Sequence, residues 1–221
     1  MTHPDSVLYV GSGLSATSAG VLRDKATLCC AVNNAWQVFA PRGVDYWLHP
    51  SDFPPENYPP EDFPHTRIGY FDFQYSAKRV FSRLGEDPEF PQIHAGYTTF
   101  FQGFYWLLDQ IQPKRIFTLG FDHDYDQTKV ARWKSEGLPT PNNYYCGAHP
   151  SSVNQWSNEF FKECPADAFY GHGTPDPLRL GEQTIRDLFA RAQNSANRLG
   201  VEVFNVSGVT HGLNSFPQHQ L

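Results

Sequence analysis

Four short apolar runs punctuate the chain, and each ends in a polar or glycine-bearing turn. Val7-Leu8-Tyr9-Val10 runs into Gly11-Ser12-Gly13, and Ala26 to Val32 runs into Asn33-Asn34. Tyr46-Trp47-Leu48 runs into His49-Pro50-Ser51-Asp52, and Ile116-Phe117-Thr118-Leu119 runs into Gly120-Phe121-Asp122. Runs that are apolar at odd and even positions alike predict strands buried on both faces, as in a parallel sheet covered on either side. Val201 to Val206 is expected to be the last strand, and Ile68 to Phe73 a further one.

Between these runs the periodicity changes. Ile185, Leu188, Phe189, Ala192, Ala196 and Leu199 fall on one stripe, which predicts an amphipathic helix over 180–199 with Gly200 as its stop. Thr98 to Gln112 reads as a helix that is apolar nearly all round and therefore buried. Shorter helices are expected from about Ser15 to Asp24, from Ser76 to Arg83 and from Val153 to Lys162. Prolines 54, 55, 59, 60 and 64 make 53–66 an irregular connection, because proline lacks the N–H that helices and ladders need. Residues 121–150 are polar and turn-rich, and predict a long lid-like excursion. The alternation of strand, turn and helix gives an α/β, Rossmann-like doubly wound and mostly parallel sheet, as a single domain over 1–221.

Composition narrows the class. The chain has 221 residues, a net charge of −6 and 15% aromatic residues, which is too aromatic and too weakly charged for a disordered protein. No apolar run approaches the length of a membrane span, and residues 1–6 lack the basic and apolar parts of a signal peptide. The expectation is an intracellular, cytoplasmic protein with no membrane partner. The acidic balance argues against a nonspecific nucleic-acid binder, so nucleic acid enters only as a substrate. Cys29, Cys30, Cys146 and Cys164 have no metal-site spacing and read as reduced, packed thiols.

In doubly wound sheets, ligands sit outside the carboxyl ends of the strands. Gly11, Ser12, Gly13 and Ser15 open a strand-to-helix turn that suits close approach of an anion, or a tight turn with no ligand. Asn33 and Asn34 offer amides to a base edge or ribose, or simply form a turn. Asp52 is suited to a ribose hydroxyl, to service as a base, or to a helix cap. Asp122, Asp124 and Asp126 at alternate positions suit a divalent ion, magnesium or manganese, that bridges phosphates; an acid-rich turn is the plain alternative. Arg179 is a candidate phosphate ligand. His49, His123, His149, His172 and His211 lie in predicted loops, where imidazole is the natural general acid or base.

Gly-Ser-Gly-Leu-Ser at 11–15, Ala-Val-Asn-Asn-Ala at 31–35, Arg-Ile-Phe-Thr-Leu-Gly-Phe-Asp at 115–122 and Asn-Val-Ser-Gly at 205–208 occur in this order. The combination resembles a superfamily of small Rossmann-like proteins. It includes single-domain bacterial sialyltransferases of the variant GT-A kind, 6-hydroxymethylpterin diphosphokinase-like proteins and related phage proteins. Leu14 stands where those families usually have proline.

The resemblance implies nucleotide contacts at Gly11, Ser12, Gly13, Asn33 and Asn34, and adds Ser15 and Thr98 at the starts of the two helices. It implies a glycosyltransferase that moves a sugar from a nucleotide-activated donor to a hydroxyl of a glycan, a small molecule or a modified base. In that scheme His149, Asp52 or His123 deprotonates the acceptor, and Arg179 or a metal on Asp122 and Asp124 steadies the leaving phosphate. A magnesium-dependent diphosphokinase and a non-catalytic nucleotide-binding protein are the alternatives. If the gene is carried by a phage, the host cytoplasm is the expected location.

Overall fold

A computed structural model describes residues 3–51, 53, 55–86, 99–121, 182–208 and 214–221. These residues form one six-stranded, all-parallel sheet, built from β1 (Ser6–Val10), β2 (Leu28–Val32), β3 (Tyr46–Leu48), β4 (Thr66–Ile68), β5 (Arg115–Leu119) and β6 (Glu202–Asn205). The strand order is β4-β3-β2-β1-β5-β6. Val7 pairs with Leu28 on one side and with Ile116 on the other, so β1 is central and the order reverses between β1 and β5. The helices are α1 (Ala19–Leu22), α2 (Tyr70–Phe73), α3 (Ser76–Arg83), α4 (Thr99–Trp106) and α5 (Glu182–Arg198). The α/β, Rossmann-like architecture expected from the apolar runs is the one observed.

The side-chain period of a strand is two, so each central strand feeds both faces. Val7, Tyr9, Cys30, Val32, Leu48 and Ile116 pack under α3, α4 and α5. Leu8, Val10, Cys29, Ala31, Trp47, Phe117 and Leu119 pack on the other face, against Ala16, Ala19, Ala35, Phe39, Phe53 and Phe63. The first cover is helical and aromatic. Phe100, Phe101, Phe104, Tyr105, Trp106, Leu107 and Leu108 of the 99–111 helix are all buried, and each apolar side chain so placed is worth about 1.5–3 kcal/mol. Gly103 lets this helix lie close to β1: a Cβ there would meet the Tyr9 hydroxyl at 2.2 Å. That hydroxyl donates to the Phe100 carbonyl at 2.9 Å. Past Trp106 the helix widens into a π turn over Leu107–Ile111 and ends at Gln112, whose φ is 52°.

Asp109, at 7% exposure, lies within that π turn and accepts from Arg79 at 2.6 Å, with Arg83 3.2 Å away. This pair of arginines pins α3 to the buried helix. Glu86, after α3, is held by Arg191 and Arg198 of α5, and the Arg191 guanidinium also lies 4.2 Å from the centre of the Phe81 ring.

The second cover is made of short turns. The expected helix from Ser15 to Asp24 is a 3₁₀ stretch over Leu14–Ser18, the single α turn α1, and a second 3₁₀ stretch over Arg23–Lys25. Its Ser, Thr and Gly content explains this, since those residues support an α-helix poorly. The expected turn at Asn33-Asn34 opens a seven-residue 3₁₀ segment, Asn33–Phe39. The strand expected over Ile68 to Phe73 is a correction. Pairing with β3 ends at Ile68, Gly69 breaks the extended run, and its N–H donates to Asp72 Oδ2 at 2.8 Å, which caps the helical turn α2. The helix over Ser76 to Arg83 and the strands β1, β3 and β5 lie where the pattern places them.

At the far edge, a segment after β6 runs beside it. Asn205 N–H donates to Pro217 O at 2.8 Å, and His219 N–H donates to Asn205 O at 2.9 Å. The His219 ring stacks 5.9 Å from Phe117, while Phe216 enters the aromatic core. Residues 122–150 of the expected 121–150 excursion, the 153–162 helix, Cys146 and Cys164 lie outside the described residues.

Candidate functional site

The carboxyl ends of the strands all lie on one rim of the sheet, and the reversal of strand order between β1 and β5 marks the place where such folds leave a crevice. At this point the two glycine turns are fastened to each other. Gly11 N–H donates to Leu119 O at 2.8 Å, Gly13 N–H donates to Gly120 O at 2.7 Å, and Gly120 N–H donates to the Ser15 hydroxyl at 2.9 Å. Gly120 has φ +72° and a Cβ on it would lie 2.3 Å from Gly11 O. A Cβ on Gly11 would lie 2.5 Å from the Phe121 ring and 2.6 Å from Gly120 O. Gly11 is thus required by contact between two backbones, and the Gly11 and Gly13 amides serve β5. Ser15 joins the same clasp, and Ser12 is buried beside it. Phe121 closes the floor, packed 4.7 Å from Tyr9 and 4.6 Å from Phe100.

The end of β2 is built differently. Asn33 takes a left-handed backbone with φ 50°, a conformation that asparagine tolerates better than most residues. Its carbonyl accepts from Trp47 Nε1 at 2.8 Å, which fixes its position against β3. Its side-chain amide reaches Thr99 Oγ1, at the start of α4, at 3.4 Å. The other amide atom, Oδ1, is buried with no hydrogen-bond partner among the described residues. Turning the amide over exchanges the two atoms and still leaves one polar atom of the head unpaired. Asn34 is buried behind it at 2% exposure.

The ends of β3 and β4 carry a third arrangement, which the sequence reading reached only as a loop histidine. His49 is buried at 3% exposure and stacks on Trp47 at 4.6 Å. Its Nδ1 lies 2.9 Å from Pro50 O, and Arg67 Nε donates to its Nε2 at 2.8 Å. A carbonyl oxygen only accepts and a guanidinium only donates, so Nδ1 carries the proton and the ring is neutral. Burial pulls its pKa below the ordinary histidine value; the Pro50 carbonyl opposes this, and Arg67 adds to it. With both ring nitrogens engaged, His49 is not a general base. The Arg67 guanidinium also lies 4.7 Å from the centre of the Tyr58 ring.

Beneath the rim, β2 carries Cys29 and Cys30, both buried and free. Burial pushes the Cys29 thiol up to about 12 and the Cys30 thiol well above its ordinary value, so neither is a nucleophile at neutral pH.

Of the residues singled out from the sequence, the structure brings Gly11, Ser12, Gly13 and Ser15 together at the β1–β5 clasp, and sets Asn33 and Asn34 at the end of β2. Asp52, Thr98, Asp122, His123, Asp124, His149 and Arg179 lie outside the described residues. Among the described residues, no three His, Cys, Asp or Glu side chains converge on a metal position, and no helix is long and apolar enough to cross a membrane. Nothing in the sequence of a three-residue edge strand and a proline-rich loop marks Arg67 and Tyr58 as neighbours. Comparisons with protein-family models, with curated proteins and with solved structures returned no match to this chain.

Proposed function

We propose that the protein is a nucleotide-dependent transferase of the glycosyltransferase type, moving a sugar from a nucleotide-activated donor to a hydroxyl acceptor. The observation that carries it is the Asn33 head. A buried amide atom without a partner costs on the order of 1–3 kcal/mol, and a ligand that supplies the missing group recovers it. A base edge or a ribose hydroxyl offers the right chemistry without charge. The all-parallel sheet with its order reversing beside β1 and the Gly-Ser-Gly and Asn-Asn motifs support the same reading.

In this scheme Asn33 orients the nucleoside, and the rigid Gly11–Gly120 clasp forms the wall against which it rests. Charge develops on the departing phosphate during transfer, so a cation is needed there. Arg179, or a magnesium or manganese ion on Asp122 and Asp124, takes that role in the proposal, and His149, His123 or Asp52 takes the acceptor proton. Both nitrogens of His49 are engaged, which leaves the acceptor proton to one of those three in this scheme.

The test is calorimetric titration with a panel of nucleosides, nucleotides and nucleotide sugars, with and without divalent metal, followed by product analysis with labelled donors. The expected result is binding of at least one nucleotide sugar and release of its sugar to a hydroxyl acceptor. Failure of every nucleotide to bind overturns the proposal. Binding of a triphosphate only with magnesium, without sugar transfer, replaces it with a diphosphokinase.

A further inference from the structure

We infer that Arg67, the middle residue of β4, binds a phosphoryl group, and that His49, just past the carboxyl end of β3, and Tyr58 are positioning residues that hold its guanidinium ready. The inference rests on the proposed nucleotide-dependent function only for which molecule carries that phosphoryl group.

Arginine on an edge strand has a plainer use. A charge there discourages pairing with another sheet, and for that purpose the side chain need only project into water. Arg67 is exposed, but it is fixed in place. Its Nε donates to His49 Nε2 at 2.8 Å, its guanidinium carbon lies over the Tyr58 ring 4.7 Å from the centroid, and its Nη2 approaches the Tyr58 hydroxyl at 3.4 Å. The partners that fix it are themselves fixed. His49 is clamped between Trp47 and the Pro50 carbonyl, and Trp47 is bonded to Asn33.

Both partners are neutral. An acceptor chosen to neutralise Arg67 would be a carboxylate, yet no carboxylate among the described residues forms an ion pair with it. Asp72 lies in the same neighbourhood, but its Oδ2 is engaged by the Gly69 N–H. A guanidinium held through Nε, through one long contact from Nη2 and by one face keeps its charge and its remaining N–H groups for an oxyanion. The ordering entropy of a long side chain is already spent, which favours binding.

Position agrees with this chemistry. Trp47 pairs with Arg67 across β3 and β4, and the same tryptophan holds Asn33 across β2 and β3. Two strand spacings separate β2 from β4, about 10 Å. Asn33 and Arg67 are therefore joined on one rim through Trp47 and His49, with a nucleoside-sized span between their strands.

The experiment is calorimetric titration of the full chain with inorganic pyrophosphate. The intact protein is expected to bind it saturably, and Arg67→Gln to bind about tenfold more weakly or worse, as loss of a charge-assisted pair requires. His49→Gln, whose amide oxygen accepts from Arg67 as the imidazole does, is expected to stay within about threefold, whereas His49→Leu falls as far as Arg67→Gln although the arginine is untouched. Far-ultraviolet circular dichroism and intrinsic tryptophan fluorescence monitor folding in each variant. Absence of pyrophosphate binding by the intact protein, or equal binding by Arg67→Gln, overturns the inference.

A nucleoside titration separates this site from the proposed function, since a nucleoside should respond to Asn33→Leu and not to Arg67→Gln. Pyrophosphate binding that depends on Arg67 while no nucleotide binds leaves the phosphoryl site standing and removes the nucleotide. A nucleoside diphosphate that weakens in parallel with pyrophosphate assigns the phosphoryl group to the donor; one that does not assigns it to a separate substrate.

Discussion

The two halves of the rim solve opposite problems. At β1 and β5 the backbone amides are turned inward on each other, two glycines are pressed face to face, and a serine hydroxyl completes the seal. At β2, β3 and β4 the polar groups are held in place but incompletely matched: an asparagine head lacks one partner and an arginine is supported only by neutral groups. Glycine-rich turns are commonly suspected of holding ligands. Here the glycine turn is the closed side of the rim, and the asparagine and histidine turns are the open side.

The contrast is broken most forcefully at the clasp. Gly120→Ala must adopt a left-handed backbone and place a methyl 2.3 Å from Gly11 O. Left-handed strain and overpacking together cost about 3 kcal/mol or more, read as a fall in the denaturant midpoint with an unchanged slope. If stability is unchanged, the two turns are not bound as described. Gly11→Ala is expected to lose somewhat less, because its methyl meets Gly120 O and the Phe121 ring without the left-handed strain that Gly120→Ala adds.

A smaller effect is expected at the open side, and it should appear in binding. Asn33→Leu removes the unmatched amide, and nucleotide affinity is expected to drop about 10- to 100-fold. Asn33→Gly keeps the backbone conformation and loses the same head, so equal weakening in both variants separates the amide from the turn. Nucleotide affinity that survives both substitutions moves the ligand elsewhere.

The third expectation concerns pH. The folded His49 titrates below the 6.5 of the free group, chiefly through burial, with Arg67 adding to it and the Pro50 carbonyl and Asp72 opposing. The unfolded chain therefore binds this proton first as pH falls. The stability tied to neutral His49 is complete above about pH 6.5 and is lost as pH drops toward the lowered value. His49→Gln should flatten the stability profile in that window, and a profile that keeps its slope there would locate the proton on another group.

The smallest effect is the absence of one. Cys29 and Cys30 lie within β2, directly below the open side, and burial holds both thiols protonated. Iodoacetamide at pH 8 is expected to leave both unmodified in the folded protein and to label both in denaturant, as read by peptide mass mapping. Labelling without denaturant would show that the openness of the rim extends into the strand.

The fold was legible because burial leaves a mark on composition. Val7 to Val10 and Leu28 to Val32 are apolar at consecutive positions only because helices or turns cover both sides of the sheet. The covers were legible to the degree that they are regular. The stripe from Ile185 to Ala196 announces α5, while the cover over Leu14–Lys25, two 3₁₀ stretches around a single α turn, has no one period for a sequence to display. Tyr70 to Phe73 misled because aromatic residues suit strands, and a single Asp72 cap decides for a helical turn. At the site, Asn33 was visible as the residue ending a strand. The duty of Gly11 to Gly120 was not, because Ser15 and Gly120 stand 105 residues apart and only tertiary structure reveals their contact. The link from His49 to Arg67 spans 18 residues of irregular chain and was hidden for the same reason.

The strand order also bears on how the protein is made. β1 to β4 lie side by side in the order in which they are synthesised, and all four are encoded before residue 69. They can zip into half a sheet while the rest of the chain is still being translated. The partner for the remaining edge of β1 is Arg115–Leu119, which arrives much later. Until then a nascent chain presents the Ser6–Val10 backbone with one hydrogen-bonding edge bare and apolar side chains on both faces, the kind of surface on which half-made chains adhere to one another. β5 is thus the strand that takes a growing chain from adhesive to self-contained, and its arrival is sealed by the Gly11–Gly120 clasp.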